Sequence, residues 1–175
     1  MFEEYLQDSY EFFVIAERTS NDREARRYYR ASVFYATGAI EAFVNYLADS
    51  FAKAERLTPN EISFLNDKVL IFSSDKGKLV EKGKFYKLDD KLKFLLRKFV
   101  RDFNFSNTIW SKVMEFKDFR DSLVHPRKAD DDIDVKEYKK KVRAGISSII
   151  EIMNLLCQGI FMKPLRKQLL DLIPE

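Results

Sequence analysis

The run ASVFYATGAIEAFVNYLA, residues 31–48, is apolar or small on almost every side when it is wound as a helix. It also approaches the length of a membrane span. Glu41 and Asn45 lie inside it and Arg30 adjoins it, however, so placing it in a bilayer would be costly. The run therefore reads as the central helix of a cytoplasmic all-α protein. The rest of the chain must then supply the helices that cover it.

Working outward, Ser20, Asn21 and Asp22 offer N-caps for a helix that starts near 22, carries the charged stretch DREARRYYR and ends near 55. Before it, residues 2–18 hold Phe2, Leu6, Phe12, Phe13 and Ile15, several of them at helical spacing. After it, Thr58-Pro59-Asn60-Glu61 has the form of a capping box with an early proline, opening a short helix over 59–67. Residues 68–88 contain VLIFSS and then DKGKLVEKGKF. VLIF has strand composition but no evident partner, so this stretch reads as an irregular basic insertion. A helix from Leu88 to about 102 sets Leu92, Leu95, Leu96 and Phe99 in a stripe ringed by Lys91, Lys93, Arg97, Lys98 and Arg101. Ser106 or Asn107 caps the next helix, which must end near Pro126, because the residue before a proline avoids the helical region. KADDDID at 128–134 is a polar turn with Asp134 as N-cap of a last long helix, 135 to about 161. Lys163-Pro164 separates that helix from a short tail helix in PLRKQLLDLI. The expected architecture is one domain over residues 1–175, an antiparallel bundle of four to five main helices with extra short ones.

Composition narrows the classes further. With 175 residues, 46% of them apolar, and 16 Phe and 8 Tyr, the chain has enough apolar side chains for one substantial core. The opening MFEEYLQDSY turns acidic at once, unlike a secretory signal. Cys157, the only cysteine, sits in an apolar run and reads as a buried small hydrophobe in a reducing compartment. Net charge is +3, unevenly spread: residues 1–75 carry −5, residues 76–101 carry +7, and the remainder +1. The basic middle segment is either a phosphate-attracting surface or a solvated lysine-rich face. No pair of His or Cys ligands exists, so no metal is expected. Asp130-Asp131-Asp132 lacks the glycine and distal glutamate of a calcium loop and reads as a solvated turn. No cofactor is implied.

FRDSLVHP, residues 119–126, holds the only histidine. On a helix, Ile109, Val113 and Phe116 lead by steps of three or four to Arg120, which places that guanidinium in or at the edge of the apolar stripe. It then needs an acidic partner, a phosphate or a subunit interface. Asp121 and His125, four apart, share a face. Arg120 and His125 are about 140° apart and converge only if the helix frays at His125, which Pro126 favours. From the residues alone two readings stand. Either Arg120 pairs with Glu41 or Asp118 and His125 is a C-cap favoured by the helix dipole, or the three form a site.

The segment from Phe119 through Pro126 resembles the Arg-x4-His motif of HEPN domains (higher eukaryotes and prokaryotes nucleotide-binding). In that family, too, a polar residue usually follows the arginine, as Asp121 does here. The motif there ends a helix in a four- or five-helix bundle and is followed by a turn and a further long helix. YATGAIEAFVNYLA, with Glu41 among apolar and small residues, is similar to the acid-bearing core helix of several HEPN groups. One feature departs from the pattern. Some HEPN toxins carry a tyrosine two positions after the histidine, modified by a partner nucleotidyltransferase, and this chain has Pro126-Arg127.

The resemblance implies a metal-independent endoribonuclease acting as a homodimer, with the two motifs facing each other across the interface. Single-stranded or looped RNA would be its substrate, and a toxin–antitoxin or defence role with an antitoxin or nucleotidyltransferase partner would fit. Arg120, Asp121 and His125 would form the catalytic set, with Glu41 in support or simply a satisfied core carboxylate. The alternatives are a catalytically inactive HEPN-type module that binds RNA, nucleotide or protein, and a purely structural adaptor bundle. Neither reading involves a membrane.

Overall fold

Helix ends fall where local hydrogen bonding can close them, and the computed structural model, which describes residues 1–54, 56–125 and 133–174, places most of them close to the expected positions. In order these are α1 (Phe2–Arg18), α2 (Asp22–Ala54), α3 (Pro59–Leu65), β1 (Lys68–Ser73), β2 (Lys78–Gly83), α4 (Leu88–Phe99), α5 (Thr108–Val124), α6 (Val135–Phe161) and α7 (Lys167–Leu170). Asn21 accepts from the Glu24 N–H at 3.1 Å, and Thr58 and Glu61 form the reciprocal capping box. Asn107 rather than Ser106 caps α5, and Asp134 caps α6, each with a 2.9 Å bond from a first-turn N–H. Pro126-Arg127, the run Asp130-Asp131-Asp132 and most of the turn expected at 128–134 lie outside the described residues.

Side-chain contacts fix the directions of the main helices. Along α1 and α2, Phe2 meets Phe43, Ser9 meets Ser32 and Phe13 meets Tyr29, so the two are antiparallel. Ser9 and Ser32 each donate their hydroxyl to the other's carbonyl, at 2.9 and 2.8 Å, which lets the backbones approach without leaving a buried polar group unsatisfied. α6 runs parallel to α2: Tyr138 stacks on Tyr29, and further along Ile149 and Ile40 line one small pocket. α5 runs back against α6, with Phe116 over Gly145 and Phe119 edge-on to Tyr138 at 5.2 Å. The C-terminal end of α5, the start of α6 and the N-terminal part of α2 therefore share one end of the bundle.

The most apolar long helix is α6 rather than the 31–48 run. By length and composition it is long enough to cross a membrane, but more than half of that window is buried inside the fold. Val142, Ile146, Ile149, Ile150, Met153 and Leu156 all pack into the core.

Two expectations are corrected here. Residues 68–83 are not irregular: β1 and β2 form an antiparallel hairpin, with Ile71 opposite Val80, turning at Gly77 in the left-handed region at φ 59°. The partner of VLIF is KLVEKG, whose charges mask its strand character. Lys91 is not part of a solvated ring either. It is only 5% exposed, with its ammonium 2.7 Å from Asp67. Asp67 sits at φ 56°, and it also accepts the Tyr86 N–H on its carboxylate and the Lys84 N–H on its carbonyl. One residue thus closes the hairpin and fastens it to α4.

A Cβ at Gly145 would overlap the Phe116 ring close to its point of attachment. Overpacking of that kind costs roughly 1–3 kcal/mol, against about 1 kcal/mol gained in helix propensity. Gly145→Ala should therefore lower stability on balance, read as a lower urea midpoint with an unchanged slope.

Candidate functional site

α5 buries Trp110, Val113, Phe116 and Phe119 against the bundle, which leaves the next residue, Arg120, on the flank of that stripe. Its side chain is 35% exposed, so the helix displays it at the edge and does not bury it. Its Nη1 donates to Asp121 at 3.0 Å, and Lys117 approaches the other Asp121 oxygen at 3.5 Å. Arg120 Nε is shielded and has no hydrogen-bond partner among the described residues. A guanidinium with five donors is thus oriented by one carboxylate and keeps unused donors. A half-exposed ion pair of this kind contributes only about 0–1 kcal/mol to stability, so the arrangement is poorly explained as a stability device.

His125 is the C-cap of α5. Its backbone leaves helical geometry at φ −122°, ψ 66°, while its N–H still reaches the Asp121 carbonyl at 3.0 Å. This is the departure from the helix that the Arg-x4-His spacing requires. The imidazole is exposed, and no described side chain holds it. Of the two roles open to Asp121, the carboxylate takes that of orienting Arg120, and its link to His125 runs through the backbone.

Glu41 stands apart from this group. It is exposed, neither a core carboxylate nor an ion partner of Arg120, and it lines a separate cleft with Asn45, Asp67, Tyr86 and Lys91. The apolar and small residues of 31–48 do not enclose it as a core carboxylate would require: with Glu41, Asn45 and Tyr46 exposed, α2 keeps a solvent-facing side in this segment.

Two further concavities are lined by other residues. One, of about 390 Å³ between α5 and α6, is lined by Phe116, Phe119, Ser122, Ile133, Lys141 and Gly145, and includes neither Arg120 nor His125. The other lies on the first turns of α2 among Arg23, Arg26, Arg27 and Arg30. The charged stretch DREARRYYR had been assigned no role in the sequence. Its spacing of three and four was the signal that could have marked a cationic face. Among the described residues no three His, Cys, Asp or Glu side chains converge as a metal site would need.

No protein-family profile matches the chain, and no match was found among characterised proteins or solved structures.

Cys157 is buried on α6, and desolvation pushes its thiol up to about 11. At pH 8 it should react with a thiol reagent ~100-fold or more slowly than a free cysteine, and react fully once the chain is unfolded in urea. The raised value also carries a sign for stability. The folded state holds the proton that the unfolded chain releases above about pH 8.5. This contribution is present below that pH and fades as pH rises toward 11.

Proposed function

We propose that this chain is a HEPN-like, metal-independent endoribonuclease acting as a homodimer in the cytoplasm. The observation that carries the reading is the placement of the only histidine, exposed at the C-cap of α5, one turn beyond a half-exposed arginine that Asp121 orients and whose donors are not all used. α1, α2, α5 and α6, with α4 as a fifth, would correspond to the HEPN bundle. The hairpin, α3 and α7 would be additions to it.

Cleavage of RNA by this set is chemically direct. An imidazole takes the 2′-OH proton as the 2′-oxygen bonds to phosphorus. The bond from phosphorus to the 5′-oxygen breaks, and a second imidazole protonates that oxygen, leaving a 2′,3′-cyclic phosphate and a 5′-OH end. The Arg120 guanidinium holds the equatorial oxygens as charge builds on them. One histidine per chain fits poorly with both proton transfers, whereas two facing copies supply acid and base. A toxin–antitoxin or defence role follows the resemblance. If a nucleotidyltransferase partner acts on this chain, it must modify something other than the position held by Arg127.

The test is cleavage of a mixed-sequence single-stranded RNA in EDTA. His125→Ala and Arg120→Ala should each lower the rate by about 10²–10⁴ at matched dimer content, and wild-type products should end in 2′,3′-cyclic phosphate. A wild-type dimer that binds RNA without cutting it would instead point to the inactive RNA-binding module.

A further inference from the structure

Arg23, Arg27 and Arg30 follow one another along α2 at steps of four and three, and Phe34 continues the stripe four residues on. Arg23 and Arg27 are exposed, Arg30 is half-buried, and Phe34 is 41% exposed. Among the described residues none of these three arginines has an ion-pair, hydrogen-bond or ring partner. With Asp22 and Arg26 they line an open depression of about 430 Å³. In the lysine-rich segment 76–101, Lys78, Lys82 and Lys87 are likewise without a partner among the described residues, but the cations of α4 are engaged. Lys91 is held by Asp67, Lys98 by Glu61 and Lys93 by Asp89, while Arg97 covers the Phe105 ring. The free guanidinium charge is thus concentrated in the part of the sequence whose overall charge is negative.

This stripe lies on the side of α2 nearest α5. Thr37 and Lys117 line one pocket between the two helices. Arg30 and Arg23 stand one and two heptads before Thr37, on the same side of the helix. Because α5 runs antiparallel to α2, stepping back from Thr37 to Arg30, about 10 Å, moves from the level of Lys117 toward that of Arg120 and His125. Like charges three and four apart weaken a helix, and neither Asp22 nor Glu24 pairs with Arg23, Arg27 or Arg30 among the described residues, so the row is explained by a partner that brings the negative charge.

We infer that Arg23, Arg27, Arg30 and Phe34 form a track for the backbone of single-stranded RNA leading to the end of α5. The guanidiniums would take successive phosphates and the Phe34 ring would stack on a base. This rests on the reading of Arg120 and His125 as an RNA site.

Two measurements separate the track from that site. The His125→Ala protein, which should hold RNA without cutting it, is titrated with a labelled mixed-sequence 20-nucleotide RNA at several KCl concentrations. The same titration is run with Arg23, Arg27 and Arg30 all changed to Ala, and all changed to Lys. Each phosphate contact contributes about 0.7 to the slope of log affinity against log salt, so the triple Ala protein should lose a slope of about 2 and at least ~10-fold in affinity near physiological salt. The triple Lys protein should keep most of the slope, and Lys78→Ala with Lys82→Ala should leave it unchanged. Equal helical circular dichroism shows that the variants are folded. Cleavage of a dinucleoside monophosphate, which has one phosphate, tests the wild-type site by itself. An unchanged slope in the triple Ala protein sinks the track even if the dinucleotide is cut. Steep arginine-dependent binding with no cutting of any RNA supports the track and removes the catalytic reading. Polyglutamate bound as tightly as RNA at matched charge would overturn the proposal in favour of an acidic protein partner.

Discussion

The apolar surface of α2 dominates this fold, since it has to be covered along 33 residues. α1 covers one flank through the Ser9–Ser32 exchange and a ladder of rings, α6 lies along it in parallel, and α5 packs against both α6 and α2. Burial of these faces is the main source of stability, as is usual for amphipathic helices whose own propensity is marginal. The direction of each covering helix then decides which ends meet. α5 finishes where α2 and α6 begin, and the candidate site is a consequence of that meeting.

Pairing of charge, more than amount of charge, determines what this surface can do. Most cations of the 76–101 segment are engaged with carboxylates or aromatic rings, several of them holding the hairpin and α4 in place. Lys91 is the extreme case, buried and tied to Asp67 24 residues away. The first half of α2, by contrast, presents Arg23, Arg27 and Arg30 without an ion-pair or hydrogen-bond partner among the described residues. A count along the sequence takes no account of which charges already have partners.

At the end of α5 the same principle operates on a smaller scale. Asp121 orients Arg120 from the adjacent position without burying it, and the helix releases its backbone at His125. Fixing a guanidinium by a neighbouring carboxylate limits the side-chain freedom it would lose on binding an anion. The imidazole is left exposed at the end of the helix.

Local signals in the sequence determined the helices and their ends. Thr58 with Glu61, Asn107 and Asp134 cap where they do because each side chain reaches an N–H two or three residues away. The apolar periodicity and the grouping of Arg120, Asp121 and His125 at one helix end were legible for the same reason, since a helix places near neighbours predictably. The hairpin, the burial of Lys91, the exposure of Glu41 and the unpartnered state of Arg23, Arg27 and Arg30 were not. Each depends on groups beyond the reach of one helical turn: VLIF on the charged strand KLVEKG across the hairpin, Lys91 on Asp67, Glu41 on which helices cover α2. Hydrogen bonds within a turn follow from adjacent residues, but burial and charge neutralisation are properties of surfaces brought together from distant segments, so only the tertiary structure could decide them.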